Sequence, residues 1–498
     1  MSTRASSTRA STRADERRSS GIRGLDTVLR GGFLPQRSYL ISGAPGTGKT
    51  ILGLHFLDTG LRRDEQSLLI AFSEPADSLQ RNLGNLGFSF DRITVLDLTA
   101  PVELFSDAER SHGLLSPAET EREPVLRRIA EAVDELAPVR VFVDGLDGLR
   151  YYAADEGDFL RSVQAFLQFI TAHGATVLVT AEPTAGRGNE GLEHLVDGSL
   201  TLTFTQKTRK VSVSKFRGSG FSGGEHTLRI GDEGISVFPT LTARRDLPER
   251  RTVQLPFSIE SLDKKLHGGI EPGTVTLLTG PPGVGKTTLG IQFMRSAALL
   301  GEPGVVYSFD EEPALMELRC RAVGLDLSEL QRDGRLIIEK VEPLEYSAEE
   351  FADWVKHAVE EGGARCVMVD SLSGYSLSIA DDRPIPSLHA LSKYLTSAGV
   401  SLIIAEEMSA ITGDFRPTES RISYLSDNII FLRYIERFNE VSDSVELHKI
   451  LGVLKKRLSD FDKGLHAFDI TSEGIRVGGR PLGSRSLLWG PHPLSEKP

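Results

Sequence analysis

The sequence predicts an α/β protein of two tandem domains, each a mainly parallel sheet flanked by helices and closed by a β-rich C-terminal extension. Three observations predict it. Residues 21–57 and 258–294 align at a constant shift of 237 without a gap, and 17 of the 37 positions are identical. Short apolar runs alternate with longer amphipathic stretches in both copies, the pattern of a parallel sheet covered on both faces. The chain is 498 residues long, too much for one compact core.

Composition excludes several classes. A hydrophobic fraction of 39% and a charged fraction of 25% describe a globular chain, and wholesale disorder is out. The formal charge is −12, from 57 basic and 69 acidic residues, which argues against a coat for nucleic acid or anionic lipid while leaving room for a local basic channel. Two cysteines, Cys320 and Cys366, are too few and too far apart for a disulfide framework or a zinc cluster. That usage fits a reducing cytosol, so a cytoplasmic location is expected. No run of about 18 apolar residues occurs, and no membrane span is expected.

In chain order, residues 1–19 carry STRA three times and no apolar stretch. They read as a disordered tail rather than a secretory signal. The first domain is expected over 20–240, with strands in SYLIS, SLLIAF, ITVLDL, VRVFVD and ATVLVT and helical segments at 121–136 and 157–173. A charged linker, 241–252, leads to a second domain over 253–478, with strands in TVTLLT, GVVYSF, RLIIEK, RCVMVD and VSLIIA. The repeat continues downstream, where VFVDG matches VMVDS and EGISVF matches EGIRVG. A Gly/Pro-rich tail, 479–498, ends the chain.

Each copy contains G-x-x-x-x-G-K-[ST] between an apolar strand and a helical pattern: Gly43-Ala44-Pro45-Gly46-Thr47-Gly48-Lys49-Thr50 and Gly280-Pro281-Pro282-Gly283-Val284-Gly285-Lys286-Thr287. Thr288 follows the second loop and is grouped with its binding residues. Glycines let such a loop curl so that its N–H groups and the next helix's positive end face one anion. Lys49 and Lys286 are expected to reach β- and γ-phosphates, and Thr50 and Thr287 to hold Mg²⁺. ATP and Mg²⁺ are therefore the expected ligands. Two copies in one duplicated frame make a chance glycine turn a poor explanation.

Asp144 in VRVFVD and Asp370 in RCVMVD end strands and are the expected second metal partners, although a helix-capping loop aspartate has similar spacing. Candidate bases follow other strands: Ser73-Glu74 in the first copy, Asp310-Glu311-Glu312 in the second. Asp310 is also a candidate metal ligand. Some patterns are declined. Gly220-Phe221-Ser222-Gly223-Gly224 lacks the strand and helix of a nucleophile elbow. The 11 histidines show no paired metal spacing, and Lys207, Arg209 and Lys210 read as a solvated strand edge.

The G-L-D…L-x-G-G opening, the two loops, the F-x-E and VD strand ends and the closing K-F-R-G and K-K-R segments resemble the KaiC family, double-domain RecA-like P-loop ATPases known from the circadian oscillator. The resemblance covers roughly residues 20–478. It implies a homohexameric double ring with ATP between neighbouring subunits, an ATPase in the first layer and Ser/Thr autokinase activity in the second. It implies that Lys215, Arg217, Lys455 and Arg457 reach a neighbour's nucleotide. Its phosphoacceptor stretch corresponds to Thr418-Glu419-Ser420-Arg421-Ile422-Ser423-Tyr424, with Ser423 retained and Tyr424 at the threonine position. Thr418 is the other acceptor candidate. The first acid of each catalytic pair differs, as Ser73 and Asp310. The tail after 478 does not match the family's regulatory C-terminus, so signalling or clock-like partner proteins are an open expectation that the resemblance alone does not supply. Two alternatives share the fold: an ATP-gated scaffold for signalling partners, and a RecA/RadA-type DNA-dependent ATPase, which the acidic charge and lack of a zinc ribbon disfavour.

Overall fold

The computed structural model describes residues 17–88, 90–99, 117–183, 189–205, 208–241, 253–380, 384–408, 425–439 and 444–479. The chain divides into two compact units, Met1–Thr240 and Leu241–Pro498.

The first unit holds nine strands: β1 Ser38–Gly43, β2 Ser67–Ala71, β3 Thr94–Asp97, β4 Arg140–Asp144, β5 Thr176–Ala181, β6 Gly198–Phe204, β7 Arg209–Phe216, β8 Glu225–Gly231 and β9 Gly234–Phe238. They form one sheet in the order β3-β2-β4-β5-β1-β6-β7-β8-β9. Pairing is parallel from β3 through β6 and antiparallel from β6 to β9. The second unit repeats this with β10 Val275–Gly280, β11 Gly304–Ser308, β12 Leu336–Lys340, β13 Cys366–Asp370, β14 Ser401–Glu407, β15 Asn428–Asn439, β16 Ser444–Lys456, β17 His466–Thr471 and β18 Gly474–Val477. Its order is β12-β11-β13-β14-β10-β15-β16-β17-β18. The expected parallel sheets and β-rich extensions are both present.

The apolar runs become buried strands because both sheet faces are covered. Along β1, Tyr39 and Ile41 join a core with Leu52, Phe56 and Leu57 of helix Lys49–Leu61. Leu40 faces the other way, toward Phe159, Val163 and Ile170 of helix Glu156–Ala172. Each fully buried Leu, Ile or Phe side chain contributes about 1.5–3 kcal/mol relative to exposure. Polar residues mark the helix starts. Asp155 accepts from the Asp158 N–H, and Ser347 with Glu350 forms a capping box; such caps are worth about 1 kcal/mol each.

Each unit opens with an antiparallel bridge, Arg18 to Phe33 and Leu255 to Ile270, again 237 residues apart. Arg17 and Arg18, at the end of the expected tail, are held: Arg17 donates to the carbonyls of Leu29 and Gly32 and to Ser219 Oγ, and Arg18 pairs with Glu65 at 3.0 Å. Residues 220–224 form neither strand nor helix, so the declined G-x-S-x-G lacks an elbow. Among the described residues, no helix is long and apolar enough to cross a membrane.

Candidate active site

The loop after β1 and the loop after β10 curl as their glycines require. Gly48 and Gly285 stand just before the following helices with φ of 105° and 118°, the left-handed region that glycine enters without a Cβ clash. Lys49 Nζ donates to the carbonyls of Gly43 at 2.7 Å and Ala44 at 3.1 Å. Lys286 Nζ donates to Gly280 and Pro281, both at 3.0 Å. The two ammonium groups thus lie inside their own loops, where a phosphate oxygen would compete for them. Burial lowers the Lys286 ammonium, with Glu407 and Asp370 opposing the shift.

The hydroxyl-carboxylate pairs form in both units. Thr50 Oγ1 lies 3.1 Å from Asp144 Oδ2, and Thr287 Oγ1 lies 3.1 Å from Asp370 Oδ1. Burial raises the Asp144 carboxyl, while Thr180 and Thr50 hydrogen bonds pull it down. Burial pushes Asp370 up to about 6, against the Thr287 hydrogen bond and the charges of Arg319 and Lys286, with Asp310 adding to the rise. A hard oxygen pair of this kind fits Mg²⁺, which takes few protein ligands and completes its shell with water and phosphate oxygens.

The candidate bases sit differently. Glu74 accepts from Ser78 Oγ and from Asn82 Nδ2 at 2.6 Å, both on helix Ala76–Leu83. Ser73 is exposed. Asp310 Oδ2 accepts from Ser371 Oγ at 2.8 Å. Glu311 is gripped by Arg319, through Nε at 3.2 Å and Nη2 at 2.6 Å, and Arg319 Nη1 reaches Thr288 Oγ1 at 3.1 Å. Glu312 turns to Lys340 at 3.8 Å.

The closing basic strands also match. Lys215 Nζ donates to the carbonyls of Glu193 and Val196, and Lys455 Nζ to that of Ser426. Arg217 is exposed, whereas Arg457 pairs with Asp427 at 3.1 Å. In the first unit the corresponding aspartate, Asp197, is taken by Arg37 at 3.2 Å. Ser423 and Thr418 lie outside the described residues, as does Lys207.

Sequence reasoning missed several side chains at these loops. Glu182 and Glu407, just past β5 and at the end of β14, lie 3.7 and 3.9 Å from Lys49 and Lys286. Thr180 donates to Asp144 Oδ1 at 2.8 Å and accepts from the Gly145 N–H at 2.7 Å. Arg209, expected on a solvated edge, reaches the Gly46 carbonyl at 3.4 Å, and Lys449 reaches that of Gly283 at 3.3 Å. These two are 240 residues apart in matching strands, a repeat signal present in the sequence.

Comparison with known proteins agrees with the geometry. The family model described as "ATPase: KaiC" matches residues 18–242 and again 255–481. The circadian clock oscillator protein KaiC of Prochlorococcus marinus (strain MIT 9313) is 26% identical over 472 residues, covering 92% of this chain and 91% of that protein. The corresponding protein of Nostoc sp. (strain PCC 7120) is 23% identical over 465 residues, covering 92% and 88%. The circadian clock protein KaiC3 of Synechocystis sp. (strain PCC 6803) is 24% identical over 474 residues, covering 93% and 92%. Two matches to one domain model, each containing a curled glycine loop backed by a Thr–Asp pair, place this chain in the KaiC ATPase family as a tandem two-domain member.

Proposed function

We propose that both units bind and hydrolyse ATP, and that the second also transfers the γ-phosphoryl group to a serine or threonine of its own kind of chain. The observation that supports this most is the pairing of a lysine inside a curled glycine loop with a Thr–Asp pair, repeated in both units. In this reading the loop N–H groups and Lys49 or Lys286 hold the phosphates, while Thr50 with Asp144, and Thr287 with Asp370, hold Mg²⁺. The ion supplies charge neutralisation on the β- and γ-oxygens when bound.

A water or serine oxygen forms the new bond to γ-phosphorus as the bond to the β–γ bridging oxygen breaks, and ADP leaves. The proton of the attacking group passes to a carboxylate. Glu74 serves in the first unit. Asp310 serves in the second, because Glu311 is ion-paired with Arg319, whereas Asp310 and Glu74 are held only by neutral groups. The acceptor is Ser423, with Thr418 as the second candidate. Subunits associate as a ring, proposed as a homohexameric double ring, with Arg217 and Arg457 directed at a neighbour's nucleotide. Lys215 and Lys455, turned onto carbonyls of their own chain, hold those strand ends. A cytoplasmic setting is supported by two buried, unbridged cysteines.

The test is incubation with γ-labelled ATP and Mg²⁺, following label into free phosphate and into protein. The expected result is protein label that maps to Ser423 and vanishes in Lys286→Ala. Protein label that persists in Lys286→Ala would overturn the kinase assignment. Phosphate release that survives replacement of both Lys49 and Lys286 would overturn the ATPase sites.

A further inference from the structure

We infer that Arg319 is a positioning residue of the second nucleotide site, fixing Glu311 beside the loop and orienting the Thr288 hydroxyl so that its proton is free for a phosphate oxygen. This rests on the reading that the second loop binds ATP.

The geometry is specific. One guanidinium spans two partners: both carboxylate oxygens of Glu311, and Thr288 Oγ1 in the first turn of helix Lys286–Leu299. A guanidinium has donors only, so Thr288 Oγ must accept that bond and its own proton points elsewhere. Among the described residues, the Thr288 hydroxyl donates to nothing. Thr288 is 5% exposed and directly follows Lys286 and Thr287. A hydroxyl held as acceptor by a charged group, one turn into a helix whose start faces an anion, is a ready donor for a phosphate oxygen.

The first unit supplies the internal comparison. At the shift of 237, Glu311 matches Glu74, Arg319 matches Asn82 and Thr288 matches Ile51. Asn82 does hold Glu74, at 2.6 Å, but as a neutral amide, and Ile51 offers no hydroxyl to hold. The grip on the glutamate is common to both units. The positive charge and its link to the helix start belong to the second alone, where arginine and threonine occur together. The arginine therefore makes the second site differ from the first in how it holds phosphate.

The test uses the full chain carrying Lys49→Ala, which silences the first loop, titrated at equilibrium with the fluorescent nucleotide mant-ADP. Arg319→Asn and Thr288→Ile are each expected to weaken binding by about tenfold or more, the scale of a hydrogen bond to a charged group. The double variant is expected to bind no worse than the weaker single, because one side chain acts through the other. Arg319→Lys keeps charge but lacks the planar fork that grips both Glu311 oxygens while reaching Thr288, and is expected not to restore affinity. Thr288→Ser keeps the hydroxyl and is expected to bind like the parent, which separates the hydroxyl from packing. Unchanged affinity in Arg319→Asn, or losses that multiply in the double variant, would overturn the inference. Binding that persists in Lys49→Ala/Lys286→Ala would instead overturn the nucleotide-site reading itself.

Discussion

Arg140 Nε donates to Glu65 Oε2 from a guanidinium with 0% of its surface exposed. The same group donates through Nη1 to the carbonyls of Ser19 at 2.6 Å and Phe56 at 2.8 Å, and Arg18 approaches Glu65 from the other side. Glu65 therefore balances a charge at the base of β4 and ties the start of the first unit to its phosphate-loop helix.

Removing Glu65 should be costly, because it leaves Arg140 buried and unbalanced. Glu65→Ala is expected to destabilise the first unit by about 3–5 kcal/mol. The check is the midpoint of the first unit's unfolding transition in urea, with the second unit's transition unmoved.

Matching glycines should respond unequally to alanine. A Cβ on Gly53 would lie 2.2 Å from the Phe142 ring, and one on Gly290 would lie 2.5 Å from Met368 Cε. An aromatic ring wedged in the core cannot retreat, whereas the end of a methionine can. Gly53→Ala is expected to cost about 1–3 kcal/mol and Gly290→Ala distinctly less. Melting temperatures of the two variants against the parent check this.

Thr180 deserves substitution by valine. The change strands the Gly145 N–H, at about 1–3 kcal/mol, and removes a hydrogen bond that holds the Asp144 carboxyl down. Phosphate release from the first unit, isolated by Lys286→Ala, should then require a higher pH than in the parent. An unchanged pH profile would show that Thr180 does not act on Asp144.

The buried Asp370 has the opposite sign from a salt-bridged acid. Its folded value, about 6, lies above the ordinary 3.8, so the folded state takes the proton more readily. Its contribution to stability is fully present below pH 3.8 and is lost as pH rises through about 6. In nucleotide-free protein, Asp370→Asn should therefore raise second-unit stability at pH 7 relative to the parent and lose that advantage near pH 4. Urea midpoints at the two pH values measure it.

The fold was legible because its signals are local. Runs such as VRVFVD and RCVMVD carry strand, burial and terminal acid within six residues, and the 237-residue shift transfers each assignment to the other copy. The loop lysines and the Thr–Asp pairs were legible for the same reason. Thr180, Glu182 and Glu407 were not, because their partners are distant in sequence and meet only where strands end side by side. Arg319 was not either, although it reaches Glu311 from only 8 residues further along, on helix Pro313–Ala322. The Arg319 relationship had a trace in the sequence, since the shift sets it against Asn82. Nothing in the pattern, though, said that either side chain would turn onto the glutamate. The sequence also did not show that the Lys215 and Lys455 ammonium groups lie on nearby carbonyls of their own chain.

The strands that feed the phosphate loops, β1 and β10, are each fifth of nine, with four strands on either side. A strand so placed cannot fray from an edge. Its amide protons are held between two neighbouring strands and exchange with solvent only when those pairings open, so they should be among the slowest of their unit. The loop at its tip is open to a ligand while the segment it grows from is the last to let go. Ligand entry and release at the loop then leave the sheet intact, and the residues that set the site's position are those least exposed to proteolytic or chemical damage.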